Sequence, residues 1–70
     1  MKTTVTNGNS SNKIRGSRIS IWTNQNRLVD RFEIPTKGAL FYINKHPNGE
    51  CAQRFNKAVK QAETLEQFGI

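Results

Sequence analysis

The sequence predicts an α+β domain: a small three-stranded antiparallel sheet packed on one C-terminal helix, in the order β-β-β-α, preceded by a disordered N-terminal arm. Three observations predict it. Residues 18–34 alternate polar and apolar side chains on either side of an Asn-rich break, which is the period of half-buried strands. Residues 50–67 repeat apolar side chains at helical spacing. Residues 1–16 offer almost nothing to bury.

Taken in order, residues 1–16 read as a flexible basic arm. They are mostly Thr, Asn, Ser and Gly, with Val5 and Ile14 as the apolar exceptions, and that composition cannot offset the entropy of ordering the chain. The single folded domain then spans residues 17–70. Arg18-Ile19-Ser20-Ile21-Trp22-Thr23 is β-branched and alternating, and reads as the first strand. Asn24-Gln25-Asn26 forms the turn, since Asn tolerates left-handed backbone. Arg27 to Ile34 makes the second strand, with Leu28, Phe32 and Ile34 assigned inward and Arg27, Val29, Arg31 and Glu33 outward.

Pro35-Thr36-Lys37-Gly38 suits a hairpin loop, with proline presetting the first turn angle and glycine accepting positive φ. The run Ala39–Lys45 admits two readings, a third strand or a short helix capped by Thr36. The loop chemistry and Phe41-Tyr42-Ile43 favour the strand. After His46-Pro47-Asn48-Gly49, with Asn48 as an N-cap, the helix runs from Glu50 to Gln67 and exits through Gly69. The expected core is Ile19, Ile21, Leu28, Phe32, Ile34, Phe41 and Ile43 against Phe55, Ala58, Val59, Ala62 and Leu65.

Seventy residues bury a thin core. A chain of this size is commonly rescued by disulfides, by metal or by self-association. One cysteine, Cys51, cannot bridge within the chain, and Cys51 with the one histidine, His46, cannot complete a zinc site. No cofactor is expected, and a second copy of the chain is a candidate partner. Lys2 is followed by Thr3-Thr4-Val5-Thr6 rather than an apolar signal core, and no run has the length of a membrane span. With a lone cysteine, the expectation is a cytoplasmic protein without a membrane partner. The abundance of Asn, Lys and Ile fits an AT-rich coding sequence of the kind phages and mobile elements carry.

The charge is +6, from 11 Lys and Arg against 5 Asp and Glu, and it is unevenly spread. Lys2, Lys13, Arg15 and Arg18 meet no acid over residues 1–18, whereas Arg54, Lys57 and Lys60 are balanced by Glu50, Glu63 and Glu66 after residue 45. A positive N-terminal half attracts polyanions and speeds their encounter. Period-two alternation turns Trp22, Arg27, Arg31 and Tyr42 to the uncovered face of the expected sheet, with Arg18 and Lys45 near its edges and Arg15 on the arm. Guanidinium forks bind phosphate or stack on bases, and Trp and Tyr offer flat faces for stacking. These seven residues are the expected contact set for nucleic acid, DNA ahead of RNA.

The alternative function is a small inhibitor or adaptor of the type phages use, seating the same basic face on an acidic surface of a host protein. Catalysis is not expected. No Ser-His-Asp set is recognisable, and Asp30 and Glu33 fall on opposite strand faces.

The β-β-β-α order, with strands at 18–23, 27–34 and 39–45, is similar in outline to integrase arm-type and plant Apetala-two-type DNA-binding domains, and to the strand–strand–strand–helix portion of a double-stranded-RNA-binding domain. The resemblance implies a sheet backed by a helix and, in the first two, DNA contact through the sheet. It carries no residue across. Gly49-Glu50-Cys51-Ala52 stands where the RNA-binding domain has its basic helix start.

Overall fold

Runs of β-branched residues build the sheet. In the computed structural model, which describes residues 1–7 and 16–69, strand β1 is Lys2–Asn7, β2 is Ser17–Trp22 and β3 is Leu28–Ile34. All three are antiparallel, in the order β1-β2-β3, so β2 is central. Helices α1, Ala39–Lys45, and α2, Glu50–Gln67, follow. The expected three-stranded antiparallel sheet with a C-terminal helix is therefore present, but one of its strands comes from a different part of the chain.

That strand is β1. The segment expected to be arm supplies it, because Thr3, Thr4, Val5 and Thr6 favour extended backbone and find a ladder along β2 from Lys2↔Trp22 to Asn7↔Ser17. The run Ala39–Lys45, favoured as a strand, is helical. As a helix it buries Ala39 and Ile43, four residues apart on one face, and places Lys45 in the last turn, where the dipole favours a cation. Gly38, rather than Thr36, is its N-cap, in the left-handed region at φ 77°, and Tyr42 N donates to Gly38 O at 3.0 Å. Gly49, rather than Asn48, caps α2. Gly69 ends α2 at φ 72°, and its N–H donates to Glu66 O, as a glycine in that position should.

The β2–β3 hairpin carries a bulge that re-aims two side chains. Ile21 pairs with Asp30 and Trp22 with Leu28, so Val29 is the extra residue. Leu28, expected in the core, thus shares the face of Trp22 and is exposed, while Val29, expected outside, packs against the core. Arg27 is not in the strand. It closes the turn, where Thr23 N donates to Arg27 O at 2.9 Å and Arg27 N donates to Thr23 Oγ1 at 3.2 Å. Asn26 takes the positive φ, 65°, that the Asn-rich turn was expected to need.

Both helices belong to one layer on one side of the sheet. Ile19, Ile21, Phe32 and Ile34 meet Ala39 and Ile43 of α1 and Ala52, Ala58 and Ala62 of α2 in a single buried cluster. Each fully buried isoleucine contributes roughly 1.5–3 kcal/mol of transfer free energy. The alanines let α2 lie close to the strands. Phe55, Val59 and Leu65 are half-buried at the margins of this stripe, and Phe41, expected in the core, is 73% exposed because the helix turns it outward. At the far end, Gly16 passes so near β3 that a Cβ there would sit 1.9 Å from Ile34 O. Ser17 Oγ donates to Thr36 O at 2.8 Å and ties the start of β2 to the loop after β3.

Candidate nucleic-acid interface

With the helices on one side, strand alternation fixes what the other side presents. Three cross-strand rows cover it: Lys2–Trp22–Leu28, Thr4–Ser20–Arg31 and Thr6–Arg18–Glu33. Among the described residues the face therefore holds three cations, Lys2, Arg18 and Arg31, against one anion, Glu33. An indole stands on the central strand among them.

The side chains on this face are ordered by one another. Trp22 Nε1 donates to Thr4 Oγ1 at 3.1 Å, which fixes the plane of the half-buried indole. The Arg31 guanidinium lies 5.9 Å from the centroid of that ring, close enough for a cation–π contact. Arg31 Nε donates to Ser20 Oγ at 2.9 Å. Arg18 Nε donates to Glu33 Oε1 at 2.8 Å across the neighbouring row. Lys2 Nζ donates to Asn26 Oδ1 at 2.6 Å and so reaches the β2–β3 turn that carries Arg27.

A second ion pair steadies β3 from the helical side. Arg54 of α2 donates from Nε to Asp30 Oδ2 at 2.9 Å and from Nη2 to Asp30 Oδ1 at 3.0 Å, a bidentate fork. Nη2 also approaches Arg31 O at 3.4 Å, and the guanidinium lies 4.9 Å from the Phe32 ring centroid. The Arg54 hydrogen bonds hold the Asp30 carboxyl below the usual carboxylate range. Partial burial opposes them, and the Arg31 N–H adds to them. Asp30 in turn pushes Arg54 up. The hollow along the β3 edge, between Arg18, Arg31 and Arg54, has two of its three guanidiniums already engaged by carboxylates.

Of the seven residues singled out from the sequence, Arg18, Trp22 and Arg31 come together on the helix-free face, and Arg27 lies in the turn at its end. Tyr42 and Lys45 do not join them. Both are on α1, where Tyr42 is half-buried against the core and tilts against His46 at 4.7 Å, and Lys45 Nζ lies 6.0 Å from the Phe41 ring. Arg15 falls outside the described residues. Lys2 and Thr4 were missed, because β1 was given to the arm. The β-branched run Thr3–Thr6 was the signal that could have found them.

A scan of protein-family models and searches of curated proteins and of solved structures find no match to this chain. Among the described residues, no helix is long and apolar enough to cross a membrane, and no group of three His, Cys, Asp or Glu side chains is placed to hold a metal ion.

Proposed function

We propose that this chain is a small non-catalytic nucleic-acid-binding module, for DNA ahead of RNA, that presents the helix-free face of its sheet to the polyanion. The observation that carries the reading is Arg31 seated over Trp22 on that face, between Lys2 and Arg18. Cations on a flat, ordered surface release counterions from a phosphate backbone. Strands spaced about 4.8 Å apart put the axes of the two outer strands about 10 Å apart. The major groove of B-DNA, about 12 Å wide, admits a two-stranded β-ribbon such as the β2–β3 hairpin that carries Trp22 and Arg31, whereas side chains cannot read the deep, narrow major groove of A-form RNA. The test is fluorescence anisotropy of labelled duplex DNA, duplex RNA and single strands at several salt concentrations. Duplex DNA bound most tightly, with the logarithm of the affinity falling linearly in log salt, supports the reading. No binding at low salt removes it.

One observation favours a second reading, an adaptor or inhibitor acting on a host protein. Leu40 and Phe41 stand 46% and 73% exposed side by side on α1, in the helical layer away from the basic face. Exposed neighbouring apolar side chains of this kind mark protein contacts. A stoichiometric partner that survives nuclease treatment and is lost in Phe41→Ser supports it. A catch that nuclease abolishes does not.

A further inference from the structure

From the geometry of the helix-free face we infer that Arg31 is its base-reading residue, selecting guanine in the major groove of duplex DNA, while Lys2 and Arg18 serve the phosphates. The inference rests on the nucleic-acid reading above and goes beyond it to one side chain and one base.

An arginine reads guanine when its fork is held aimed, because the bidentate pair to O6 and N7 needs the rigid guanidinium plane to meet the base edge in one orientation. A flexible arginine finds phosphate instead. The Arg31 side chain is held at two points, its Nε donating to Ser20 Oγ at 2.9 Å and its guanidinium carbon standing 5.9 Å from the Trp22 ring centroid, on a backbone whose carbonyl Arg54 Nη2 approaches at 3.4 Å. These contacts engage Nε and leave Nη1 and Nη2 without a hydrogen-bond partner among the described residues. Those are the two atoms a guanine edge takes up. Arg31 also occupies the middle row, Thr4–Ser20–Arg31, and its neighbours in that row are short hydroxyl side chains that do not obstruct an approaching base edge.

The other cations are arranged differently. Arg18 pairs through Nε with the Glu33 carboxylate at 2.8 Å, so an anion stands beside its fork, and Lys2 is a point charge at the end of the sheet bonded to Asn26. Of the three, Arg31 alone is a fork whose side chain is bonded to a neutral partner. The indole is also unsuited to the main alternative, a stacking platform for unpaired bases. Trp22 is half-buried, bonded at its edge to Thr4 and approached on its face by Arg31, whereas a stacking platform needs an open aromatic face.

The test is selection from a duplex DNA pool randomised at its centre, run in parallel with the wild-type chain, Arg31→Lys and Arg31→Ala. The preferred duplex is then remade with 7-deazaguanine, which lacks the N7 acceptor. Arg31→Lys keeps the charge but not the fork, and circular dichroism of each variant establishes that it is folded. The expected result is guanine enriched at one position by the wild type, with enrichment lost in Arg31→Lys while duplex binding persists. A good bidentate pair discriminates by roughly 1–3 kcal/mol, so replacing that guanine with another base should weaken binding roughly 5- to 150-fold. The deaza base should also weaken it. Duplex binding with no guanine enrichment, or enrichment that survives in Arg31→Ala, overturns the inference and leaves the nucleic-acid reading standing. Absence of binding to any duplex overturns both.

Discussion

Arg31 and Trp22, on neighbouring strands and in adjacent rows of the sheet, hold each other: the guanidinium sits 5.9 Å from the indole centroid, and the indole is itself pinned to Thr4. An arginine so placed loses less entropy on meeting a ligand than a free one. Trp22→Leu keeps apolar bulk and removes the ring under Arg31. A cation–π contact at an exposed site is worth about 0.5–1 kcal/mol, so duplex affinity measured by anisotropy should fall roughly two- to fivefold. The thermal midpoint should move little, because the indole is outside the buried cluster.

Asp30 gives the fold an acid limb. Its carboxyl titrates below its ordinary value because Arg54 donates two hydrogen bonds to it. A depressed native pKa stabilises the fold above the unfolded value, about 3.9, and that contribution is lost as pH falls through the native value. Thermal midpoints recorded from neutral pH down to about pH 2 should therefore drop on the acid side, and Asp30→Asn should flatten part of that drop while lowering the neutral midpoint. An unchanged acid limb in Asp30→Asn would show that the pair contributes nothing to linkage.

Gly16 is required by proximity rather than by its backbone angles. A Cβ would press on Ile34 O at 1.9 Å and on Pro35 C at 2.7 Å, both backbone atoms that cannot rotate away. Overpacking of this kind costs about 1–3 kcal/mol. Gly16→Ala should lower the denaturation midpoint accordingly, with the unfolding slope unchanged.

Ala62 sets how closely α2 approaches the strands. It is fully buried in the cluster with Ile19 and Ile21. Ala62→Leu should push the helix off the sheet at a cost of about 1–3 kcal/mol. Ala62→Gly should cost about 1 kcal/mol through helix propensity. A chemical-denaturation series distinguishes the two. A stabilised leucine variant would mean that the contact holds unfilled space.

Much of this architecture was legible before the structure. Ile19, Ile21, Phe32 and Ile34 could be read inward, and Trp22 and Arg31 outward, because period two is unambiguous in a strand that alternates cleanly. The long helix was legible from its spacing and from Gly69. What escaped had specific causes. β1 has one apolar residue, Val5, so hydrophobic patterning does not reveal it, and its ladder is contributed by a partner strand that the local sequence does not contain. Ala39–Lys45 is too short for periodicity to separate a strand from a helix, and the choice fell to packing against β2 and α2. The bulge at Val29 is invisible locally, since one extra residue exchanges the faces of Leu28 and Val29 without changing either side chain. On the contact face, three of the seven chosen residues sit together on the sheet with Arg27 at its end. The central arginine–indole pair was expected to face outward, whereas Tyr42 and Lys45 followed the strand assignment of their segment and left the face with it.

The central claim is that the sheet face, and not the helical layer, meets the polyanion, and one measurement tests it most directly. Duplex DNA binding is titrated against salt for the wild type, for Lys2→Ala and Arg31→Ala on the sheet face, and for Lys45→Ala and Lys60→Ala on the helices. A lost phosphate contact lowers the salt slope by about one, and loss of the base-reading arginine costs about 1–3 kcal/mol. The account predicts a shallower slope for Lys2→Ala, the largest loss of affinity for Arg31→Ala, and wild-type curves for both helix variants. Sheet-face variants that bind like the wild type, with the loss falling on Lys45 or Lys60 instead, would contradict it.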